Sequence, residues 1–131
     1  ILHQGTLWQD VESMILGAMD HEQSNAKMGA DYSFSYHDVE IEKGSFLAKI
    51  AGKNNLLTKT NSSHHQAVRD VGDGFVVSAR SSDQVVEAIE KEDHPFCLGL
   101  QWHPEFESSD IDEKIFKAFV EACFELRQFE I

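Results

Sequence analysis

Cysteine, proline and basic residues are all scarce in this chain of 131 residues. Its two cysteines, Cys97 and Cys123, do not lie in a metal-binding spacing, so reduced thiols in a cytoplasmic protein are the simplest interpretation. Only 11 lysines and arginines stand against 23 aspartates and glutamates, which gives a formal net charge of −12. No apolar run approaches the length of a membrane span. We therefore expect neither nucleic acid nor a membrane as a partner.

The sequence also lacks internal repeats, low-complexity segments and a phosphate-binding glycine loop. Its length is sufficient for one domain with a core of its own. The first residue is Ile1 rather than methionine, from which we expect that sequence upstream is missing.

The most informative segment runs from Phe96 to Glu105. It starts as an apolar run typical of a buried strand and ends in His103, Pro104 and Glu105, a layout common for sites at the edge of an open α/β sheet. In an extended chain, residues two apart leave the same face, so the Glu105 carboxylate can accept a proton from one imidazole nitrogen of His103. That pairing is typical of the acid and base of a catalytic triad. A polar strand end with an exposed histidine is the alternative that the spacing leaves open.

Residues 101–105 read Gln-Trp-His-Pro-Glu and resemble the signature of the class I glutamine amidotransferase-like superfamily. The resemblance is closest to its γ-glutamyl hydrolase branch, peptidase family C26, which includes γ-glutamyl-γ-aminobutyrate hydrolases. Members of this family use a Cys-His-Glu catalytic triad. The resemblance therefore implies that His103 is the general base and that Glu105 orients it. We expect no cofactor.

A second polar segment, residues 61–66, reads Asn-Ser-Ser-His-His-Gln. Adjacent histidines can indicate a metal site, but in an extended chain they point to opposite faces and no further metal-binding spacing accompanies them, so we expect no metal. The segment resembles the family's Asn-Ser-x-His-His-Gln motif, which lines the substrate pocket beside the triad. The resemblance implies that Ser62, His64 and Gln66 bind the α-amino and α-carboxylate end of a γ-glutamyl group. Without the resemblance, a polar exit from a strand into a loop is the plainer interpretation.

Hydrophobic periodicity predicts both helices and strands. One helix is expected from Val11 to about residue 20, and another from a Ser45 cap to Gly52. A hairpin is expected around a turn at residues 81–84. Strands are expected near residues 37–41, 56–60, 75–79, 85–90 and 96–102.

A terminal helix is expected to begin near residues 107–110 and to pack an apolar stripe on the sheet, although such a stripe can also bind a partner. The stripe consists of Ile111, Ile115, Phe116, Phe119, Val120, Cys123, Phe124 and Leu126. Cys97 lies in an apolar run and not in an elbow-type glycine pattern, so we predict a small core residue rather than a nucleophile. Residues 20–31 are predicted to form a loop, which in the family often overhangs the substrate site.

These elements indicate an α/β protein. The resemblance covers nearly the whole chain, including residues 4–10, which are similar to the family's Gly-Gly-Thr-Leu-Tyr-Gln-Asp segment. It implies that residues 1–131 form a single partial domain, the C-terminal part of a flavodoxin-like class I glutamine amidotransferase domain, with a central sheet and flanking helices. The N-terminal half, which carries the nucleophile in a Gly-x-Cys-x-Gly elbow, is expected to be absent.

The resemblance leaves three functions open. The first is a γ-glutamyl amide hydrolase-like protein with a small γ-glutamyl substrate, in which this chain carries only the histidine and the glutamate and is inactive by itself. The second is a non-catalytic remnant or interaction domain, or one half of a split enzyme completed by another chain, either a complementing N-terminal half or a further copy in a homo-oligomer. The third is an ammonia-supplying glutamine amidotransferase component, although the paired histidines at residues 64 and 65 favour the hydrolase branch.

Overall fold

Two antiparallel sheets and three helices make up the part of the chain that the computed structural model describes, residues 3–22, 35–52 and 56–127. A single 3₁₀ turn lies between the last strand and the last helix. In chain order the elements are β1 (Thr6–Trp8), α1 (Val11–Met14), β2 (Ser35–Ile41), α2 (Phe46–Ala51), β3 (Leu57–Ser62), β4 (Ala67–Asp70), β5 (Phe75–Ser81), β6 (Val86–Lys91), β7 (Leu98–Leu100), the 3₁₀ turn (Pro104–Phe106) and α3 (Asp110–Arg127).

The larger sheet has the strand order β3-β2-β5-β6-β7, and all its neighbouring strands are antiparallel. The strands predicted near residues 37–41, 56–60, 75–79 and 85–90 correspond to β2, β3, β5 and β6. β5 and β6 form the predicted hairpin, in whose turn the backbone N–H of Gln84 donates to the carbonyl of Ser81 over 2.9 Å. Gln84 has a φ of 71°, a left-handed backbone for which glycine is the usual residue.

The strand predicted over residues 96–102 is shorter than expected and lies at one edge of the larger sheet rather than at its centre. The three half-buried residues of β7 pair with β6, and one backbone hydrogen bond on each side continues the pairing, at Cys97 and at Gln101. The chain then leaves the sheet because the side chain of Asn61, on β3, hydrogen-bonds to both the N–H and the carbonyl of His103 and draws that residue toward the end of β3.

The first helix is much shorter than its periodicity predicts. α1 ends at Met14, because Ile15 is extended with φ −115° and ψ 111° and Gly17 has a φ of 81°. The backbone N–H of Met19 donates to the Asp83 carboxylate over 2.8 Å, which ties the following segment to the β5–β6 turn. The apolar residues that predict a helix are still used for packing, in a small second core with Val11, Ala67 and Val85 buried and Trp8, Ile15 and Ala18 packed against them.

The second helix is confirmed with both of its predicted ends. The Ser45 hydroxyl accepts the N–H of Ala48 over 3.0 Å, and Gly52, with a φ of 101°, ends α2. The buried carboxylate of Glu90, on β6, accepts the first two backbone N–H groups of α2 over 2.7 and 3.2 Å. A negative group therefore meets the positive end of this helix, which stabilises it.

The last helix begins where it is predicted to begin, but only its first turns are buried. Ile111 and Ile115 belong to the main core. Most of the predicted stripe is exposed, so the prediction that it packs on the sheet is wrong for that part of the helix. α3 has 18 residues and is about 27 Å long, while its packing partner α2 has six residues and is about 9 Å long, so the second half of α3 extends past it. The large exposed side chains, each between 43 and 62% exposed, are Phe116, Phe119, Val120, Phe124 and Leu126.

A two-stranded ribbon of β1 and β4 forms that the sequence does not predict. The two strands are antiparallel, with Thr6 opposite Asp70, and the Thr6 hydroxyl donates to the Asp70 carboxylate over 2.5 Å. β1 has only three residues, and it is held by a strand that lies far along the chain. Local periodicity therefore carries no signal for it.

The main core lies between the larger sheet and the two longer helices. Its side chains come from β2, α2, β5, β6, the residue that precedes His103, and the first turns of α3. The buried members are Val39, Ile41, Leu47, Ala48, Ala51, Ala79, Ala88, Trp102, Ile111 and Ile115.

The described helices include none that is both long and apolar enough to cross a membrane. Residues 23–34, which contain most of the loop predicted at residues 20–31, lie outside the described residues, as do residues 53–55.

Candidate active site

His103 and Glu105 form a hydrogen-bonded pair directly after β7. His103 Nδ1 lies 2.8 Å from Glu105 Oε1. The sequence predicts that the two side chains meet along an extended strand. In the structure they meet through the 3₁₀ turn instead. Pro104 stands at the first position of this turn, where its fixed φ and missing N–H are tolerated, and Glu107 closes it with a left-handed φ of 49°. One tight turn therefore brings the carboxylate back to the ring.

Asn61 holds the backbone of the histidine from the neighbouring end of β3. Its amide Nδ2 donates to the carbonyl of His103 over 2.8 Å, and its Oδ1 accepts the N–H of His103 over 2.9 Å. The same Nδ2 donates to the Ser108 hydroxyl over 2.8 Å. Asn61 is completely buried and is a residue that sequence reasoning missed, although it is the first residue of the quoted Asn-Ser-x-His-His-Gln motif.

A second anchor lies on the other side of the pair. The buried indole of Trp102 donates from Nε1 to Asp112 Oδ1 over 3.0 Å. Asp112 Oδ2 accepts the backbone N–H groups of Ser108 and Ser109, each over 3.0 Å, in the last residues before α3. The His-Pro-Glu segment is therefore held between β3 and the start of α3.

The pair itself is accessible to solvent, and its charges favour a base at His103 Nε2. The side chains of His103 and Glu105 are 43 and 57% exposed. The hydrogen bond from His103, together with the backbone N–H of Glu105, holds the pKa of the Glu105 carboxyl below its ordinary value. The carboxylate is thus ionised at neutral pH and fixes the proton of the neutral imidazole on Nδ1. Nε2 is left with the lone pair that a general base needs.

Neither cysteine is hydrogen-bonded to this pair within the described residues. Cys97 is half-buried just before β7, so the prediction of a core residue is only partly met, and its carbonyl accepts the N–H of Lys91 over 3.1 Å. Cys123 is exposed on α3.

The three residues expected to bind substrate follow Asn61, and each is hydrogen-bonded to a group other than His103. Ser62 is buried and donates from Oγ to the carbonyl of His21 over 2.8 Å. His64 is buried, and its Nδ1 donates to the carbonyl of Gln66 over 2.9 Å. The half-buried Gln66 donates from Nε2 to Gln9 Oε1 over 3.1 Å. Their role in substrate binding stays a prediction.

A separate cluster of three histidines around Glu87 lies in the interior and was not anticipated from the sequence. One ligand-type atom from each of His21, His37, His64 and Glu87 lies within 4.8 Å of all the others. Asp83 contacts His21 from outside the cluster. Burial raises the pKa of the Asp83 carboxyl, but hydrogen bonds from Ser81, the Met19 N–H and His21 outweigh burial and lower it to about 2. The four residues of the cluster come from separate parts of the chain, so no local spacing announces them.

Comparisons with known sequences point to one family. The family model described as Peptidase C26 matches residues 1–105. A glutamine amidotransferase-like protein of Rickettsia prowazekii is 47% identical over 87 residues, which are 66% of this chain and 31% of that protein. The γ-glutamyl-γ-aminobutyrate hydrolase of Escherichia coli K12 is 38% identical over 89 residues, which are 66% of this chain and 35% of that protein. The matched chain thus spans about a third of the length of these curated relatives.

Solved structures share the fold. A Thermoplasma acidophilum protein described as part of a GMP synthase has a TM-score of 0.67 and 17% identity, over 97% of this chain and 52% of that one. The glutaminase domain of Trypanosoma brucei CTPS with bound acivicin aligns with a TM-score of 0.55 and 29% identity, over 80% of this chain and 44% of that one. The predicted α/β, flavodoxin-like class I glutamine amidotransferase fold is confirmed.

Proposed function

The chain belongs to the peptidase C26 family, and from that premise we propose that it supplies the histidine and the glutamate of a Cys-His-Glu triad that hydrolyses γ-glutamyl amides. The observation that supports this proposal most directly is the 2.8 Å contact between His103 Nδ1 and Glu105 Oε1 at an accessible turn. A carboxylate in that position keeps the imidazole in the tautomer whose Nε2 can take a proton from a thiol.

In the proposed reaction, His103 accepts the proton of a cysteine thiol and the thiolate attacks the γ-carbonyl carbon of the substrate. The tetrahedral intermediate collapses, the C–N bond breaks, and the imidazolium gives its proton to the departing amine. The resulting thioester is then attacked by a water molecule that His103 deprotonates, and the collapse releases glutamate and the thiol. Glu105 stabilises the imidazolium in both halves of the reaction.

The proposed nucleophile comes from polypeptide other than these 131 residues. No Gly-x-Cys-x-Gly sequence occurs in the chain, and neither Cys97 nor Cys123 is hydrogen-bonded to His103. The thiol would belong either to a longer protein that contains this chain or to a separate chain that completes the site.

The proposed substrate is a γ-glutamyl amide whose glutamate end meets the segment that carries Ser62, His64 and Gln66. That segment adjoins Asn61, which touches the His103 backbone, so it lies beside the triad pair. A glutaminase that supplies ammonia is the second candidate, and the likeness to a glutaminase domain at 29% identity supports it. The paired histidines His64 and His65 favour the hydrolase.

The proposal is tested by joining or mixing this chain with a polypeptide that carries the family's Gly-x-Cys-x-Gly elbow and measuring release of glutamate. γ-Glutamyl amines should be hydrolysed faster than glutamine, and this chain alone should release no glutamate. Faster hydrolysis of glutamine would support the glutaminase instead. Turnover by the chain alone that Cys97→Ser abolishes would contradict the placement of the nucleophile.

A further inference from the structure

Three histidine rings converge on one buried carboxylate in the interior of the protein. Oε1 of Glu87 lies 3.5 Å from Nδ1 of His21, 3.4 Å from Nε2 of His37 and 3.7 Å from Nε2 of His64. None of these three contacts is a hydrogen bond, because the three ring nitrogens and Oε1 of Glu87 have no hydrogen-bond partner among the described residues. The side chain of Glu87 is wholly buried, so no solvent solvates its charge.

The other nitrogen of each ring faces outward and is bonded to an oxygen that can only accept. A carboxylate or a backbone carbonyl has no proton to donate, so each outward nitrogen carries the ring N–H. Each inward nitrogen of a neutral ring therefore carries a lone pair, directed at the carboxylate. The outward bonds join His21 Nε2 to Asp83 Oδ2 at 2.9 Å, His64 Nδ1 to the Gln66 carbonyl at 2.9 Å and His37 Nδ1 to the Asp38 carbonyl at 3.3 Å.

Among the described residues, the inward atoms have no hydrogen-bond partner. This holds for Nδ1 of His21, Nε2 of His37, Nε2 of His64 and both carboxylate oxygens of Glu87. Buried polar atoms are nearly always satisfied, and a buried carboxylate without a counter-charge is strongly unfavourable. Three lone pairs that face a carboxylate repel it, unless a cation lies between them.

We propose that His21, His37, His64 and Glu87 bind one divalent transition-metal ion, and that Zn²⁺ is the ion that fits best. Zn²⁺ binds imidazole nitrogen and carboxylate oxygen at about 2.0–2.2 Å in a tetrahedron, which places ligand atoms about 3.3–3.6 Å apart. The distances of 3.4, 3.5 and 3.7 Å from Glu87 Oε1 are close to that edge. All four ligand atoms lie within 4.8 Å of one another, so the longer separations would shorten when the ion binds. The two charges of the ion balance the carboxylates of Glu87 and Asp83.

The outer contacts match those of known metal sites. A metal-bound histidine usually donates its other ring N–H to a carboxylate or a backbone carbonyl, which fixes the tautomer and the ring orientation. All three rings here have such an acceptor. Four protein ligands leave no open position, so the ion is structural rather than catalytic.

The ion would join four parts of the chain that are distant in sequence. His37 lies on β2 and Glu87 on β6, His21 follows α1, and His64 lies between β3 and β4. The ion would therefore fix the segment at residues 62–66 beside the triad pair. His64 acts in this proposal as a metal ligand, so Gln66 and the backbone of the segment are the groups left for substrate. The proposal does not depend on the proposed function.

The direct test is to purify the protein without a polyhistidine tag, measure its metal content by mass spectrometry, and titrate the metal-free form with Zn²⁺. We expect one tightly bound metal ion per chain and a rise in Tm when Zn²⁺ is added to the metal-free form. Replacement by Co²⁺ should give the intense visible absorption of four-coordinate cobalt. No bound metal and an unchanged Tm, or only the weak absorption of six-coordinate cobalt, would overturn the proposal.

Matched variants locate the site. Glu87→Gln and His37→Ala should abolish binding of the metal ion. Asp83→Asn leaves all four ligands in place but alters the outer contact of His21, together with the bonds of Asp83 to Ser81 and the Met19 N–H, and should weaken metal binding by about 10- to 100-fold. His65→Ala is the control, because His65 is adjacent to His64 but exposed and outside the cluster. Should Glu87→Gln fail to fold, the metal affinity of Asp83→Asn and the cobalt spectrum of the unaltered protein decide whether this cluster binds the ion. Full affinity in Asp83→Asn, or equal loss in His65→Ala, would contradict the assignment.

Discussion

Single side chains set the position of the His103–Glu105 pair. Asn61 satisfies both backbone groups of His103, and Trp102 next to it is anchored through Asp112. The pairing of His103 with Glu105 could be predicted from their two-residue spacing, but Asn61 could not be assigned, because its partner lies 42 positions along the chain. The metal-type cluster was missed for the same reason, since its members meet only in the folded chain.

Replacing Asn61 should loosen this arrangement. Asn61→Ala leaves the N–H and carbonyl of His103 and the Ser108 hydroxyl without their buried partner. We expect the free energy of unfolding to fall by about 1–3 kcal/mol, measured by urea denaturation. Ser63→Ala, an exposed change in the same segment, is the control and should have little effect. Equal stability of Asn61→Ala and the unaltered chain would contradict the anchoring role.

The hydrogen-bonded pair of His103 and Glu105 predicts how the stability of the fold depends on pH. His103 lowers the pKa of Glu105, so the pair stabilises the fold above the ordinary pKa of a glutamate, and this stabilisation is lost as the pH falls through the lowered folded-state pKa. His103→Ala should therefore raise the pKa of the Glu105 carboxyl in an NMR titration. His94→Ala, which removes an exposed histidine elsewhere, should leave it unchanged. A Glu105 pKa that does not respond to His103→Ala would rule out the pairing in solution.

At the scale of single elements, prediction succeeds where the determinants are local. Ser45 and Gly52 define α2 through a cap and a positive φ, and the β5–β6 hairpin follows from two apolar runs around a polar turn. α1 was predicted too long and the β1–β4 ribbon was not predicted, because long-range contacts decide both. The periodic residues after Met14 pack as an extended segment, since their side chains fit the second core without a helix.

α2 offers a test of how a distant residue supports a short helix. Glu90→Gln keeps the size of the side chain but removes the charge and places an amide donor toward the N–H groups at the start of α2. We expect a loss of about 1–3 kcal/mol in the free energy of unfolding, measured by thermal and urea denaturation. Glu92→Gln, an exposed change nearby, is the matched control. Equal effects of the two substitutions would refute the support of α2 by Glu90.

For the molecule as a whole, α3 stands out because five of its large apolar side chains are exposed. Exposed apolar side chains that lie together often mark a surface for protein–protein contact. We expect this chain to self-associate through α3, with a sedimentation coefficient that rises with concentration. Phe124→Ser should reduce the association, and Lys117→Ser on the same helix should not. A compact monomer at all concentrations would contradict this expectation.

The account depends most on the chemical roles of His103 and Glu105, and the kinetics of two variants in the elbow-complemented protein test them most directly. His103→Ala should lower kcat/KM for a γ-glutamyl amide by roughly 10²–10⁴-fold, because it removes the general base. Glu105→Ala should cause a smaller loss, since the imidazole is still present but is no longer oriented. Equal losses in the two variants, or full activity of His103→Ala, would contradict these roles.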